Sequence, residues 1–450
     1  MDEEPQPILG SFASPSSIYL IHSFIGEGTF GKVAECSKTA TKEIVAVKII
    51  KTSHVTTDAR NEVDTLMRLR AFDPDRHNFV RCNDAFIYRD HVCIDFEKLD
   101  MSLLDFMYKR PERSLTVKEI RPILHQVAVT LALLQTQGIV HTDLKPDNIM
   151  LVDHRKHPLK IKVIDFGLAL SESLSRECFL LQALAYRSPE VILGLPWTSA
   201  IDMWSLGCIA AELFLGNILF PASSEYNMLQ HIIQTQGQIP QKLLKDGLCT
   251  ETFFRQKRAR RKGCRRQWVL KTPDEYGSDT ETDVNSKSLD DLLTINPPCH
   301  LSDEDNEAEL EDREDFVELL KQMLHVDANK RITPSQLLQD PFMTMRYQQN
   351  NYPNSFYFKS CCEAMEVCRG QVLHTSPQDE APAWLSQWEH PLIEETASSF
   401  SSSLSFVENN EAPQQWNLSS SDMKRLLSDS QSTTSEEVSH SLELLLRSKK

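Results

Sequence analysis

Eight residues, His141-Thr-Asp-Leu-Lys-Pro-Asp-Asn148, constrain this chain more than any other stretch of it. They follow a helical pattern in which Ile123, Val127, Leu131 and Leu134 mark one apolar stripe. A polar turn after a helix is ordinary, but it does not require this combination. Asp143 can accept the proton of a substrate hydroxyl. Lys145 can neutralise charge on a transferred phosphoryl group. Asn148, five residues beyond Asp143, can ligate magnesium.

The rest of a phosphoryl-transfer site is spread along the chain in workable order. Gly26-Glu-Gly-Thr-Phe-Gly-Lys-Val33 follows one β-type run and precedes another, VAECSK. Glycines there let backbone amides approach phosphate oxygens that a Cβ would block. A dinucleotide-binding glycine loop opens a helix, whereas this one leads into a strand. Its candidate nucleotide contacts are Ile25, Gly26, Glu27, Gly28, Thr29, Phe30, Gly31, Lys32 and Val33. Lys48 ends the strand IVAVK, and Glu62 lies fourteen residues on. Ala59, Val63, Leu66 and Met67 mark a helix whose buried stripe includes Glu62. An unpaired carboxylate there would be costly to bury, so the spacing predicts a Lys48–Glu62 ion pair that sets the lysine on nucleotide phosphates. Asp165-Phe-Gly167 follows the apolar run Ile161–Ile164, which places a carboxylate beside a glycine at the end of a buried strand. Oxygen ligands combined with substrate phosphates suit Mg²⁺, so Asn148 and Asp165 are the candidate metal ligands, with ATP and Mg²⁺ as cofactors. Phe166 alone reads more simply as core.

Composition excludes other classes. The 450 residues, 40% hydrophobic, suffice for a two-lobed core and a tail. A net charge of −16 disfavours nucleic-acid binding. The apolar stretches Val127–Val140 and Leu206–Phe220 are too short and too polar to span a bilayer, and MDEEPQP carries no secretory pattern. Eleven cysteines without a Cys-x-x-Cys pair read as reduced thiols of an intracellular protein. Cys361-Cys362 with Cys368 lacks partners at ligand spacing and is not read as a metal site.

The expected architecture is α+β and two-lobed. A small β-rich lobe with one key helix covers about 18–98, and a larger helical lobe about 99–342. Residues 1–17 are expected to be disordered. A charged insert is expected over about 247–315, with eight basic residues in Arg255–Arg266 and nine acidic ones in Ser302–Asp315; helical patterning resumes at Phe316. Residues 343–370 form an extension, and 371–450 a Ser-rich tail with too few apolar residues to offset the entropy of ordering.

From Ile18 to about Phe342 the chain resembles the eukaryotic protein kinase domain. More closely it resembles the homeodomain-interacting protein kinases, a branch of the proline-directed superfamily. The residues that carry this are HTDLKPDNIM (141–150), RKHPLKIKVIDFGLA (155–169), WVLKTPDEY (268–276), DANKRITPSQLLQDPFMTM (327–345) and KSCCEAMEVC (359–368). The resemblance implies the two-lobed kinase fold and transfer of the ATP γ-phosphate to Ser or Thr of protein substrates. It implies a following proline on those substrates, and transcription regulators among the partners. It adds Glu97 and Leu99 to the nucleotide contacts. Ser188-Pro-Glu190 looks like the close of an activation segment, with Glu190 pairing with Arg331 in NKRIT. Asp202 looks like the aspartate that braces the catalytic loop.

Departures from the family concentrate before Ser188. Where the family has Tyr-Leu-Gln-Ser-Arg-Tyr-Tyr-Arg-Ala-Pro-Glu, this chain has Leu180-Leu-Gln-Ala-Leu-Ala-Tyr-Arg-Ser-Pro-Glu190. The activating tyrosine is Leu180, and the arginine associated with the proline pocket is Leu184, which predicts a weakened proline preference. Thr142 stands where kinases usually carry arginine. No Ser, Thr or Tyr lies in Arg176–Ala185, so the segment is expected to be held by burial of Phe179, Leu180, Leu181 and Leu184 rather than by a phosphate. Two functional readings stay open at this point: an active Ser/Thr kinase, and a pseudokinase scaffold that binds ATP or partners with little turnover. The catalytic set, complete from Lys48 to Asp165, separates them in favour of the first. A small-molecule kinase is disfavoured by WVLKTPDEY. The basic run points to the nucleus, with the cytoplasm as the alternative.

Overall fold

The alternating burial of β-type residues builds the first layer. In the computed structural model, which describes residues 9–28, 31–50, 58–89, 91–175, 181–257, 266–277, 288–295, 297–298 and 302–369, six strands form one sheet. These are β1 (Gly10–Ala13), β2 (Ile18–Glu27), β3 (Gly31–Lys38), β4 (Ile44–Ile50), β5 (Cys82–Tyr88) and β6 (His91–Glu97), in the order β1-β2-β3-β4-β6-β5. One face buries Tyr19, Ala34, Cys36, Val45, Val47 and Phe86 around Phe12. Tyr19 stacks between Phe12 and Phe86 at centroid distances of 5.0 and 5.5 Å. Chain contacts define one unit over Phe12–Pro382; of the other, Met1–Ser11 with Ala383–Lys450, only residues 9–11 are described.

Helix α1 (Asp58–Leu69) crosses between β4 and β5 in the chain. Glu62, Leu66 and Leu69 are buried on it at i, i+4 and i+7, so the glutamate shares the apolar stripe, as its spacing implies.

The larger lobe is helical. Helix α2 (Val117–Thr136) starts with a capping box between Thr116 and Glu119 and is buried along most of its length. Helix α3 (Ala200–Leu215) is buried from Ile201 to Phe214 and ends at Gly216, whose φ of +73° suits a glycine cap. Helix α4 covers Glu225–Gln236. Strands β7 (Ile149–Asp153) and β8 (His157–Val163) pair antiparallel and carry the segments on either side of the site. Among the described residues, no helix is long and apolar enough to cross a membrane.

The charged region differs from expectation. Strands β9 (Phe254–Lys257) and β10 (Gln267–Leu270) form a hairpin. Tyr276 stacks on Tyr226 of α4 at 4.2 Å. Residues 258–265 and 278–287 lie outside the described residues. Helix α5 (Asp303–Met323) begins at Asp303 rather than at Phe316, and takes in the whole acidic run. Ser302 caps it by accepting from the Asp305 amide. Asp303, Glu304 and Asp305 meet the positive end of the helix dipole. The inward acids are paired: Asp312 with Arg121, and Glu309 with Arg313. Arg255 pairs with Glu275 at 2.7 Å, not with the acidic run.

The extension is integral to this lobe. In α6 (Phe356–Met365), Tyr357 donates to Asp312 at 2.7 Å, and its amide donates to Asp305 at 2.8 Å. The tail from residue 370 onward lies outside the described residues.

Candidate active site between the sheet and the helical lobe

The β2–β3 hairpin carries the glycine loop. Gly26 pairs with Val33, Glu27 pairs with Lys32, and the Gly28 amide donates to the Gly31 carbonyl at 2.9 Å. A Cβ on Gly31 would sit 2.1 Å from the Ile49 carbonyl oxygen, so packing alone demands glycine there. Gly28 is different. Among the described residues, a Cβ on it would meet no atom within 4 Å, so the loop is uncrowded there. Thr29 and Phe30 lie outside the described residues. Ile25 is exposed at the hairpin, and Lys32 reaches Glu27 at 3.4 Å.

Lys48 is set by its register on β4, opposite Val33 and Ile94. Its Nζ donates to both Glu62 oxygens, at 2.7 and 2.8 Å, and to Asp165 Oδ1 at 2.7 Å. Burial alone would lower the Lys48 ammonium. The carboxylates of Glu62 and Asp165 outweigh it and hold the group above its ordinary value. Burial likewise opposes the Asp165 charge, yet Lys48 keeps that carboxyl below its usual range. Three elements distant in the chain therefore converge on one ammonium.

The chain leaving β6 refines one expectation. Leu99 is buried there, and Lys98 Nζ donates to the Leu99 carbonyl at 3.0 Å. The Glu97 side chain is already engaged: its Oε1 accepts from Lys162 at 2.5 Å and from the Arg81 amide at 2.6 Å. The Glu97 amide is engaged as well, donating to the Arg81 carbonyl at 3.1 Å. Lys162, buried and missed by sequence reasoning, also reaches Asp75 at 2.6 Å. The alternating Lys160 and Lys162 inside an apolar strand were the available signal.

The catalytic loop folds on itself. Lys145 Nζ donates to Asp143 Oδ2 at 2.8 Å; Asn148 Nδ2 donates to the Asp143 carbonyl at 2.8 Å and to Oδ2 at 3.0 Å. Both Asn148 bonds use its amide nitrogen, so the side-chain oxygen is the atom it would offer a cation. The Ile164 amide donates to the Asn148 carbonyl at 2.9 Å, tying the loop to the strand that presents Asp165. Asp165 itself adopts φ +60°, a strained conformation for a non-glycine residue. The donor set of oxygens from Asn148 and Asp165, with the Lys48 ammonium 2.7 Å from Asp165, fits a magnesium–triphosphate group.

A buried frame holds this loop. Asp202 of α3 accepts from the His141 amide at 2.7 Å and the Thr142 amide at 3.0 Å; burial pushes its carboxyl up. Thr142 sits at φ +66° and donates to the Leu168 carbonyl at 2.6 Å. Glu190 binds Arg331 at 2.6 and 2.9 Å, as expected.

The segment before Glu190 holds residues that sequence reasoning missed. Gln182 adopts φ +64° and donates to the Ile201 carbonyl and to Ser205 Oγ. Arg187 donates to the carbonyls of Leu181 and Gln182 and to Glu225. The Tyr186 hydroxyl donates to buried Glu212 at 2.6 Å. Of the apolar residues expected to hold the segment, Leu181 packs with Val140, Trp197 and Ile201, and Leu184 is half-buried. Phe179 and Leu180 lie outside the described residues.

Comparison with known proteins matches residues 19–343 to the protein kinase domain. The chain is 44% identical over 368 residues to homeodomain-interacting protein kinase 1 of Mus musculus, covering 80% of this chain and 30% of that protein. It is 41% identical over 407 residues to homeodomain-interacting protein kinase 2 of Mus musculus, covering 88% and 33%. With homeodomain-interacting protein kinase 4 of Homo sapiens it shares 34% over 365 residues, covering 78% and 59%. The chain thus spans about a third of the two mouse relatives.

Proposed function

The chain belongs to the protein kinase family, with homeodomain-interacting protein kinases as its relatives; on that premise we propose that it is an active protein serine/threonine kinase. The observation that carries this is the Lys48 ammonium held between Glu62 and Asp165, with Asp143, Lys145 and Asn148 bonded together in the adjoining loop. A scaffold without turnover would have no need to keep all six groups in these relations.

When bound, Mg²⁺ and ATP supply the transferable γ-phosphoryl group. The residues divide the remaining work. Lys48, kept charged by its two carboxylates, holds the phosphate chain. Asp165 and the Asn148 oxygen would hold the metal. Asp143 accepts the proton of the substrate hydroxyl, and its bonds to Lys145 and Asn148 fix its orientation. Lys145 stands ready for the charge on the phosphoryl oxygens.

Substrates with proline after the target residue suit the segment before Glu190. The Gln182 carbonyl is taken up by Arg187, so it cannot accept from the backbone N–H of the residue after the target. Proline has no N–H and loses nothing. This reading moves the proline preference from Leu184 to the Gln182–Arg187 pair. It replaces the weakened preference expected from Leu184 with a retained one.

The relatives are named for interaction with homeodomain proteins; transcription regulators are accordingly the proposed partner class. The nucleus is the proposed location, supported by the basic run Arg255–Arg266. Imaging a variant with this run changed to Ala and Gln tests the location. The decisive experiment for activity is transfer of radiolabelled phosphate from ATP–Mg²⁺ to a Ser/Thr peptide library, with Asp143→Asn as control. Transfer that the control abolishes supports the kinase; none from either protein sinks it.

A further inference from the structure

Helix α5 has two sides of opposite character. Its inward acids are paired with arginines. Asp303, Glu304, Glu307, Glu311, Glu314 and Glu318 face outward with Leu310; at about 100° per residue all seven fall within a third of the circumference. Lys321 answers Glu318 at 2.5 Å, but among the described residues the five acids of this stripe before it have no ion pair. The helix dipole accounts for Asp303 and Glu304, and its effect ends with the first turn. Glu307, Glu311 and Glu314 lie beyond it, and at three- and four-residue spacing they repel one another.

A merely solvated face needs no apolar surface at its middle, and this one has it. Leu310 is 45% exposed among the carboxylates. Tyr347, on the short helix Arg346–Asn351, is 43% exposed, and its hydroxyl donates to Glu311 at 3.3 Å. The Tyr352 ring lies 6.4 Å from that of Tyr347, centroid to centroid. The field of the stripe reaches both rings. Glu311 raises the Tyr347 hydroxyl; burial, and then Glu311, Glu307 and Glu304, raise that of Tyr352. Unanswered carboxylates beside an exposed leucine and tyrosine make a face for a partner that is cationic and apolar at once.

We propose that the outward stripe of α5, with Leu310 and Tyr347, docks the Arg/Lys-rich DNA-binding segment of a protein substrate in helical form. Such segments cluster Arg and Lys to meet a phosphate backbone. Glu307, Glu311 and Glu314 rise by about 6 and 4.5 Å along the axis, the spacing of basic side chains one turn apart on a second helix. An apolar residue among them meets Leu310, and an arginine stacks on Tyr347. This names a surface for the partner class proposed above and rests on that reading. A docked regulator is held on the enzyme at a raised local concentration.

The test is fluorescence anisotropy of the full chain with a labelled, alanine-rich helical peptide that carries arginines three and four residues apart on one face and a leucine among them. Saturable binding is expected, weaker at about 0.3 M salt than at about 0.05 M. Glu307→Gln, Glu311→Gln and Glu314→Gln together should weaken it about thirtyfold, roughly threefold for each exposed charge pair. Leu310→Ala should weaken it about fivefold. These side chains are exposed or half-buried, so the variants keep the fold, and thermal melting checks this. Joined to a Ser-Pro substrate peptide, the probe should lower the KM about tenfold in the parent and not in the triple variant. The unjoined substrate should be turned over equally by both. Binding unchanged in the triple variant overturns the surface. Equal binding of a peptide with the same residues scattered around the helix leaves only attraction to a chain of net charge −16, and overturns it too. A KM that the probe leaves unchanged overturns the role in holding substrates. Binding is read without ATP. Its absence with turnover intact removes the docking surface alone, and its presence without turnover removes the kinase reading alone.

Discussion

Arg187 Nη2 donates to the Gln182 carbonyl at 2.8 Å, while Gln182 itself stands at φ +64°. The left-handed turn presents the carbonyl, and the guanidinium occupies it.

Peptides with Pro after the target serine should therefore be phosphorylated with a higher kcat/KM than matched Ala peptides. The ratio should be roughly 5–150-fold, because a desolvated N–H without an acceptor costs about 1–3 kcal/mol. Arg187→Met should narrow this ratio, while Leu184→Arg should leave it nearly unchanged. Equal rates on the two peptides by the parent protein would refute the assignment.

Asp143→Asn should lower kcat by a factor on the order of 10²–10⁴. The substitution keeps size and a hydrogen-bonding oxygen, so the melting temperature should barely move. Steady-state rates beside thermal melts check both halves, and turnover equal to the parent would remove Asp143 from its role.

Asp165→Asn should raise the Mg²⁺ concentration needed for half-maximal rate. It also withdraws one of the two carboxylates holding Lys48. Glu62→Gln withdraws the other and should act on the KM for ATP rather than on the Mg²⁺ requirement. Titrating each variant with metal and with nucleotide separates the two effects.

The segment before Glu190 should not need a phosphate. Protein made in bacteria and treated with phosphatase should keep its activity. Leu181 is buried against Val140, Trp197 and Ile201, and Leu181→Ser should lose activity along with roughly 1.5–3 kcal/mol of burial. Activity gained only after phosphorylation, for example at Ser171, Ser173 or Ser175, would defeat this view.

Asp315 supplies a pH signature. Burial first, and then the neighbouring Asp312, push its carboxyl up to about 6. As pH rises above the ordinary carboxylate value, the unfolded chain ionises while the folded one still holds its proton, so stability falls between about pH 4 and 6. The group is half-exposed, which limits the effect to about 1 kcal/mol after solvent screening. Thermal melts across this range should show the decline, and Asp315→Asn should flatten it.

What the chain reveals before folding is what short spacing encodes. Asp143, Lys145 and Asn148 sit within six residues, so one turn brings them together whatever surrounds it. Glu62 was legible because a carboxylate on a helix's apolar stripe demands a partner, and Lys48 was the cation of the preceding strand, which runs on to Ile50 rather than ending at the lysine.

Other features depend on partners far along the chain. The acidic run at Ser302 reads as solvated insert because its charges look unpaired. Folding gives Asp312 both Arg121, 191 residues away, and Tyr357, and the run becomes helix. The Gln182 carbonyl is held by a residue only five positions away. Its geometry nonetheless depends on α3, where Ile201 and Ser205 receive the Gln182 amide. The sequence by itself determined the phosphoryl-transfer groups, since their chemistry lies in local spacing. Only the tertiary structure decided which carbonyls remain open to a substrate and which charges go inward, because a backbone acceptor or a buried ion is satisfied by whatever packs against it.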